Sequence, residues 1–438
     1  MDQEMLEYLG ISRVEELFSD IPDEVRIRRL NLPNGISEME VIAKIRSLLS
    51  ANITAEDFVS FLGGGVYDHF IPSAVAAIAG RAEFVTSYTP YQAEISQGML
   101  QSLFEYQSMI AELTGLEAVN SSNYDASTAL GEAAAMCHRI NGHDRFLVPR
   151  AMSWEKKSVL ANHLRGPKME MIEYGYDPST GKMDLGDLTG KVGRDTCGLY
   201  VEVPNFLGVI DTTVMELKEE LADVPLVVGV NPLSLAVLRP PGDWGADIVV
   251  GEGQVLGSPI NFGGPLLGIF ATRQQHIRKM PGRVIGLTRD EDGRRAFCMT
   301  LQTREQHIRR SRATSNICTN EALMAVAAAA YMAILGGEGL RELAEYNIAH
   351  ARELMEGIAS LDGYDIPFLD QPHFNEFALR TPIPPSELNR RLLDEGIIGG
   401  LPLERHLPEL KDAMLLATTE MRSDEDHQML ISALREVR

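Results

Sequence analysis

The sequence predicts an α/β chain: a large domain on a mainly parallel sheet, a smaller α+β domain after it, and a helical arm before it. Three observations predict this. Between residue 61 and about 320, short apolar runs alternate with helical segments, the pattern of a sheet covered by helices on both faces. From about 321 the Ala-rich run EALMAVAAAAYMAILGG opens a stretch that mixes helices with short strands. Residues 1 to about 60 carry helical patterning with polar breaks. At 438 residues and 45% hydrophobic content, the chain can bury a full core.

Taken in order, the arm spans 1–60. Leu6, Leu9, Val14 and Leu17 fit one helical face, and a second helix restarts after the Pro33-Asn34-Gly35 turn. The large domain spans 61–325, with strands expected at 117–120, 145–148, 169–174, 198–203, 226–230, 247–250 and 266–271. Ligands of such sheets gather at the carboxyl ends of the strands. Within 87–115, SYTPYQAEISQGMLQSLFEYQSMIAELTG, the residues Ile95, Met99, Leu103, Tyr106, Ile110 and Leu113 recur at helical spacing. Thr89 is the expected N-cap, Pro90 the first helical residue and Gln92 the third, which completes a capping box with Thr89, and Gly115 ends the helix. The small domain spans 326–438. Its first helix is expected to stop at Gly336-Gly337, with strands at 374–379 and 413–417.

The net charge of −22 speaks against nucleic acid or an anionic membrane as partner, since both require basic surface. No run reaches 18 uninterrupted apolar residues, and the acidic start MDQEMLEYLG has no signal-peptide core. Cys137, Cys197, Cys298 and Cys318 are scattered with no C-x-x-C, which suits a reducing cytoplasm and gives no metal-site pattern. Of nine lysines, none lies between Lys218 and Lys279.

Four stretches could carry chemistry. Tyr88 and Tyr91 flank the expected positive helix start in 87–115, where they could line an anionic pocket; a plain core helix is the competing reading. The turn 120–128, with Ser121, Ser122 and Asn123, offers hydroxyls and backbone N–H groups to a phosphate, although N-capping by Ser121, Ser122 or Asp125 is the commoner use. In LQTREQHIRRSRATSNICTNEAL, residues 301–323, Arg304, Arg309, Arg310, Arg312 and His307 crowd an acidic chain beside Thr314, Ser315 and Asn316. That cluster suits a phosphate or carboxylate, or else is a solvated basic face. Asp68-His69, in GGGVYDHFIPSAV, shows no third member and reads as part of a glycine-hinged loop.

The strings YTPYQAEISQG, FEYQSMIAELTGL, YDHFIPSAV, LRPPGDWGADIVVGEGQ, NFGGP, MPGRVIGLTRD, LQTREQHIRR and ATSNICT run from about 61 to 325. They resemble the glycine cleavage system P-protein family, in the N-terminal half that some members carry as a separate subunit. Arg312 stands where the family often has lysine, which keeps the charge. The resemblance implies the fold of type I pyridoxal phosphate enzymes (aspartate aminotransferase-like). It also implies a reaction in which glycine, joined to pyridoxal phosphate as electron sink, loses CO2 and passes its aminomethyl group to the lipoyl arm of the H-protein.

In a competent chain of that fold, the glycine loop after the 247–250 strand carries the cofactor's lysine, and a nearby strand supplies an acid to the pyridine nitrogen. Here Gln254 and Val255 stand near the lysine's place, and LVVGVNPLSL offers Gly229 and Asn231 but no acid. The expectation is a chain without catalytic lysine or bound cofactor of its own, with 121–123 a degenerate phosphate turn. Its partner would be a homologous subunit that binds pyridoxal phosphate, as αβ or α2β2. Tyr88, Thr89, Tyr91 and Gln92 would approach the partner's cofactor pocket. Arg304, His307, Arg310, Thr314, Ser315 and Asn316 would form a second wall. The alternatives are an autonomous pyridoxal phosphate enzyme using Lys279 or Lys168, and a non-catalytic scaffold.

Overall fold

The computed structural model describes residues 3–437, apart from 28, 56, 222, 223, 318 and 406, so Cys318 lies outside the described residues. The chain divides into two compact units, residues 1–54 and 55–438. Most of the stretch expected as a helical arm lies in the first unit, and the stretches expected as large and small domains both lie in the second.

In the first unit, α1 (Gln3–Leu9) precedes a 3-10 turn at Val14–Phe18, and α2 (Glu38–Leu49) follows the Pro33–Gly35 break. Ser37 starts α2 with a reciprocal capping box: its hydroxyl accepts the Glu40 N–H, and the Glu40 carboxylate accepts the Ser37 N–H. No described residue of this unit is buried, although Met39, Ile42, Ile45 and Leu48 are apolar.

The second unit is built on a seven-stranded sheet. Its strands are β1 (Ala118–Val119), β2 (Arg145–Pro149), β3 (Glu170–Tyr174), β4 (Thr196–Val203), β5 (Leu226–Val230), β6 (Ile248–Glu252) and β7 (Gly268–Thr272), in the order β1-β7-β6-β5-β4-β2-β3. The five strands from β3 to β6 are parallel, while β7 runs antiparallel to β6 and to β1. Alternation along each strand serves two cores. Leu199, Val201, Val228 and Val249 pack with α3 (Gln97–Thr114) and α6 (Ala322–Ala359). Tyr200, Val227, Ile248 and Val250 pack with α4 (Ala126–Asn141) and α5 (Trp154–Arg165). Both faces of β4 and β5 are therefore buried, which is why these strands read as nearly continuous apolar runs.

Two helix expectations are corrected. Helix α3 begins at Gln97, not at Pro90, and Thr89 caps nothing: its hydroxyl is buried without a hydrogen bond. Pro90 biases Thr89 toward extended backbone. The start of α3 is set instead by Gln97, whose amide accepts the Phe297 N–H and donates to the Phe297 carbonyl (both 2.9 Å). Ile95, expected on the core face, is 80% exposed. Helix α6 does not stop at Gly336. Gly336 takes φ 63° and breaks the helix for one residue, after which the helix resumes, because the apolar face continues through Leu340 and Ala344 into the core. By length and composition α6 could cross a membrane, yet Val326, Tyr331 and Met332 are buried in the core.

A hairpin that the sequence reading did not identify, β8 (Val284–Arg289) with β9 (Arg295–Thr300), precedes the Arg-rich segment. Beyond α6, β10 (Glu376–Arg380), β11 (Leu401–Pro402) and β12 (Ala413–Ala417) form an antiparallel sheet in the order β10-β12-β11, and α7 (Asp424–Glu436) closes the chain.

Candidate functional site

The parallel strands deliver Glu202, Asn231 and Glu252 to one edge of the sheet, the edge where such folds hold ligands. A cavity of about 100 Å³ opens there, lined among others by Tyr67, Lys156, Glu202, Asn231, Glu252 and Glu376. The carboxyl groups of Glu202, Glu252 and Glu376 are already hydrogen-bonded within the chain. Glu202 accepts from Lys156 Nζ (2.6 Å) and from the Tyr200 hydroxyl (2.7 Å). Glu376 accepts from the Tyr67 hydroxyl (2.8 Å) and the Gly64 N–H. Burial pushes both Glu252 and Glu376 up to about 7.

Glycines here let the chain approach itself. A Cβ on Gly229 would fall 2.2 Å from the Tyr200 hydroxyl oxygen, and Gly257, at φ 92°, lies against Tyr331. Gln254 is 1% exposed and clips the 63–70 loop in place: its Oε1 accepts the Tyr67 N–H (3.1 Å), and its Nε2 donates to the Tyr67 and Ser258 carbonyls (2.9 and 2.7 Å). Val255 is buried in the apolar core. The same loop is anchored farther on, where Asp68 pairs with Arg422 and His69 with Glu420.

The turn before α4 is likewise internal. Asn120, Ser121, Ser122 and Asn123 are all buried. Ser121 donates its N–H to the Arg283 carbonyl, and Asn123 exchanges backbone hydrogen bonds with Gly268. The cap of α4 is Asp125, the third of the expected candidates: it accepts the Thr128 N–H at 2.7 Å, and the Thr128 hydroxyl oxygen accepts the Asp125 N–H.

These residues do not fit pyridoxal phosphate. On the placement that the resemblance implies, Gln254, locked to a loop, would stand near the lysine's place, Asn231 would stand where the pyridine acid comes, and Asp125 and Glu252 would occupy the α4 start where a phosphate sits. Lys156 is the one lysine, among the described residues, that lines the cavity; it comes from the first turn of α5 and is paired with Glu202. Lys279 donates to the Arg139 and Ile140 carbonyls near the C-terminal end of α4, the end opposite the turn. Lys168 is exposed beyond α5.

A second group forms on the surface. The Tyr91 ring meets the His307 ring edge-on at 6.1 Å, and its hydroxyl accepts from Arg283 at 3.3 Å. Arg283 also donates to Asn320 (3.0 Å), Asn320 donates to Ser121 (3.1 Å), and the Ser315 hydroxyl donates to Glu132 (2.7 Å). Thr314 is bound to the Arg304 carbonyl through its N–H. The structure thus joins Tyr91, His307, Arg304, Thr314 and Ser315. Tyr88 is 75% exposed and, like Gln92, Arg310 and Asn316, lies on open surface. The expectation that Arg304 offers its charge to an anion is corrected: its guanidinium is taken up by the Met280, Gly282 and Leu301 carbonyls. The sequence reading missed Arg283, Asn320 and Glu132. Arg283 was visible within MPGRVIG, but only the fold shows that it links Tyr91 to the turn before α4. Among the described residues, one trio with metal-ligand atoms lies close together, His350, Glu353 and Asp424, of which two are exposed.

The sequence profile of the family described as "Glycine cleavage system P-protein" matches residues 1–434. The probable glycine dehydrogenase (decarboxylating) subunit 1 of Pyrococcus furiosus is 49% identical, with 99% of this chain and 97% of that protein covered. Its counterpart in Thermoplasma acidophilum is 44% identical, with 98% of each covered. Among solved structures, glycine decarboxylase (P-protein) of the glycine cleavage system, in inhibitor-bound form, superposes with a TM-score of 0.91 at 40% identity, covering 100% of this chain and 98% of that one. Glutamate decarboxylase of Lactobacillus brevis shares the fold alone, with a TM-score of 0.67, 12% identity and coverage of 95% and 97%.

Proposed function

The chain belongs to the glycine cleavage system P-protein family, and on that premise we propose that it is the subunit of glycine decarboxylase that holds no pyridoxal phosphate. A homologous partner would carry the cofactor. Together they would decarboxylate glycine and pass the aminomethyl group to the lipoyl arm of the H-protein, in a reducing cytoplasm. The observation that carries this reading is Gln254: near the place of the cofactor's lysine, a buried amide is spent on strapping the 63–70 loop. The name "subunit 1" on the relatives supports a second subunit.

In this reading the chain's surface does the work. Tyr88, Tyr91 and Gln92 line one side of the partner's pocket, with Thr89 behind them. His307, Arg310 and Asn316 line the other, while Arg304, Thr314 and Ser315 hold that wall in shape. Arg283 sets the Tyr91 hydroxyl, so a reacting group could meet a fixed phenol rather than a rotating one. The test is exchange of labelled bicarbonate into glycine. It should be absent for this chain with H-protein and appear when the partner subunit is added. Exchange by this chain without the partner would refute the reading.

A further inference from the structure

We propose that the chain fills the anion seat of its own vestigial cofactor site with the Glu252 carboxylate, and so refuses the phosphate end of pyridoxal phosphate. This rests on the reading above, that the chain holds no cofactor.

The seat is the start of α4. A helix of 16 residues leaves its first backbone N–H groups without partners inside the helix and carries partial positive charge there, which is what binds phosphate in many folds. In this chain a side chain has arrived first. Glu252, the last residue of β6, reaches across with both oxygens: Oε1 accepts the Gln254 and Leu267 N–H groups (3.0 and 2.8 Å), and Oε2 accepts the Ala126 N–H (3.1 Å), the first of α4. Asp125 takes the Thr128 N–H beside it. An incoming phosphate would have to displace a carboxyl group tied by three backbone N–H groups and then sit beside Asp125. The loop above the seat is fastened as well, by Gln254 to Tyr67 and by Glu376 to Gly64 and Tyr67. Losing the lysine would leave an empty site still able to trap phosphates. Glu252 instead makes the site part of the fold, a bridge between residues 126 positions apart in sequence.

The two oxygens allow a clean test. Glu252→Gln can keep the Gln254 and Leu267 contacts at Oε1 while removing the charge and turning an amide toward the Ala126 N–H. Glu252→Ala opens the seat outright. The full-length chain and both variants would be titrated with inorganic phosphate and with pyridoxal phosphate by calorimetry, and their folding checked by circular dichroism and thermal melting. The wild type should show no saturable phosphate binding. Glu252→Ala should bind phosphate at least about tenfold more tightly, a gain of about 1.4 kcal/mol. If the alanine variant does not fold, Glu252→Gln carries the test and should gain in the same direction. Equal phosphate affinity for wild type and every folded variant would overturn the proposal. If the wild type keeps pyridoxal phosphate on a lysine, the cofactor-free reading fails. If it stays free of cofactor and the variants gain nothing, that reading stands and the seat does not explain it.

Discussion

At the scale of single residues, Tyr91 and Gln254 show how differently two polar groups can serve. Tyr91 is half exposed, with its hydroxyl held by Arg283. Tyr91→Phe removes one partly exposed hydrogen bond, worth about 1 kcal/mol, so the complex should stay assembled while turnover falls. Unchanged turnover for both Tyr91→Phe and Tyr88→Phe would take the pair out of the site, and Arg310→Ala should likewise weaken subunit affinity by several-fold or else prove a solvated cation. Gln254 is buried and makes three hydrogen bonds to backbone. Gln254→Ala strands the Tyr67 N–H and carbonyl and should cost about 1–3 kcal/mol per unpaired group, read as a lower melting temperature; an unaltered melt would show that the loop is fastened elsewhere. Glu376 gives a pH signature. Its ordinary value of 4.5 rises to about 7 on burial, so the folded state binds a proton that the unfolded state has lost. Stability from this group is full below about 4.5 and declines as pH rises through about 7. The denaturation midpoint should therefore fall between these two pH values, and Glu376→Gln should flatten that fall; equal slopes for both proteins would exclude Glu376 as its source.

At the scale of elements, the arm and the hairpin show what sequence can and cannot reveal. The four buried apolar clusters of the described residues all lie within 55–438, while no described residue of the arm is buried. Deleting 1–54 should leave the melt of the remainder nearly unchanged and weaken binding to the partner subunit by at least about tenfold; undiminished affinity would show that the arm is no part of the interface. The strands at 226–230 and 413–417 were legible to the residue, because both are apolar runs buried throughout. The β8–β9 hairpin was not, because the charged run RDEDGRR interrupts VIGLTRDEDGRRAFCMT and only its Asp292-Gly293 turn marks it. The start of α3 was misjudged because a capping pattern at Thr89 competes with the docking of Gln97 on Phe297, and that contact spans 200 positions. The same limit governs the site. The lack of lysine between Lys218 and Lys279 is visible in sequence, whereas Glu252 at the start of α4 is visible only once the sheet has brought the two together.

At the scale of the whole molecule, a chain of net charge −22 leaves several large aromatics exposed, among them Phe70, Tyr88, Trp154 and Phe262. The assembly should bury an obligate-sized area, on the order of 2,000 Å² or more, and analytical ultracentrifugation at micromolar concentration should show one heteromer; two independent species would contradict it. The central claim, that the cofactor belongs to the partner alone, is tested most directly by reducing the assembled complex with borohydride and mapping the pyridoxyl label by mass spectrometry. The account predicts label on a lysine of the partner subunit and only background on all nine lysines of this chain, Lys156 in the cavity included. Stoichiometric label on Lys156, Lys279 or any other lysine of this chain would contradict it.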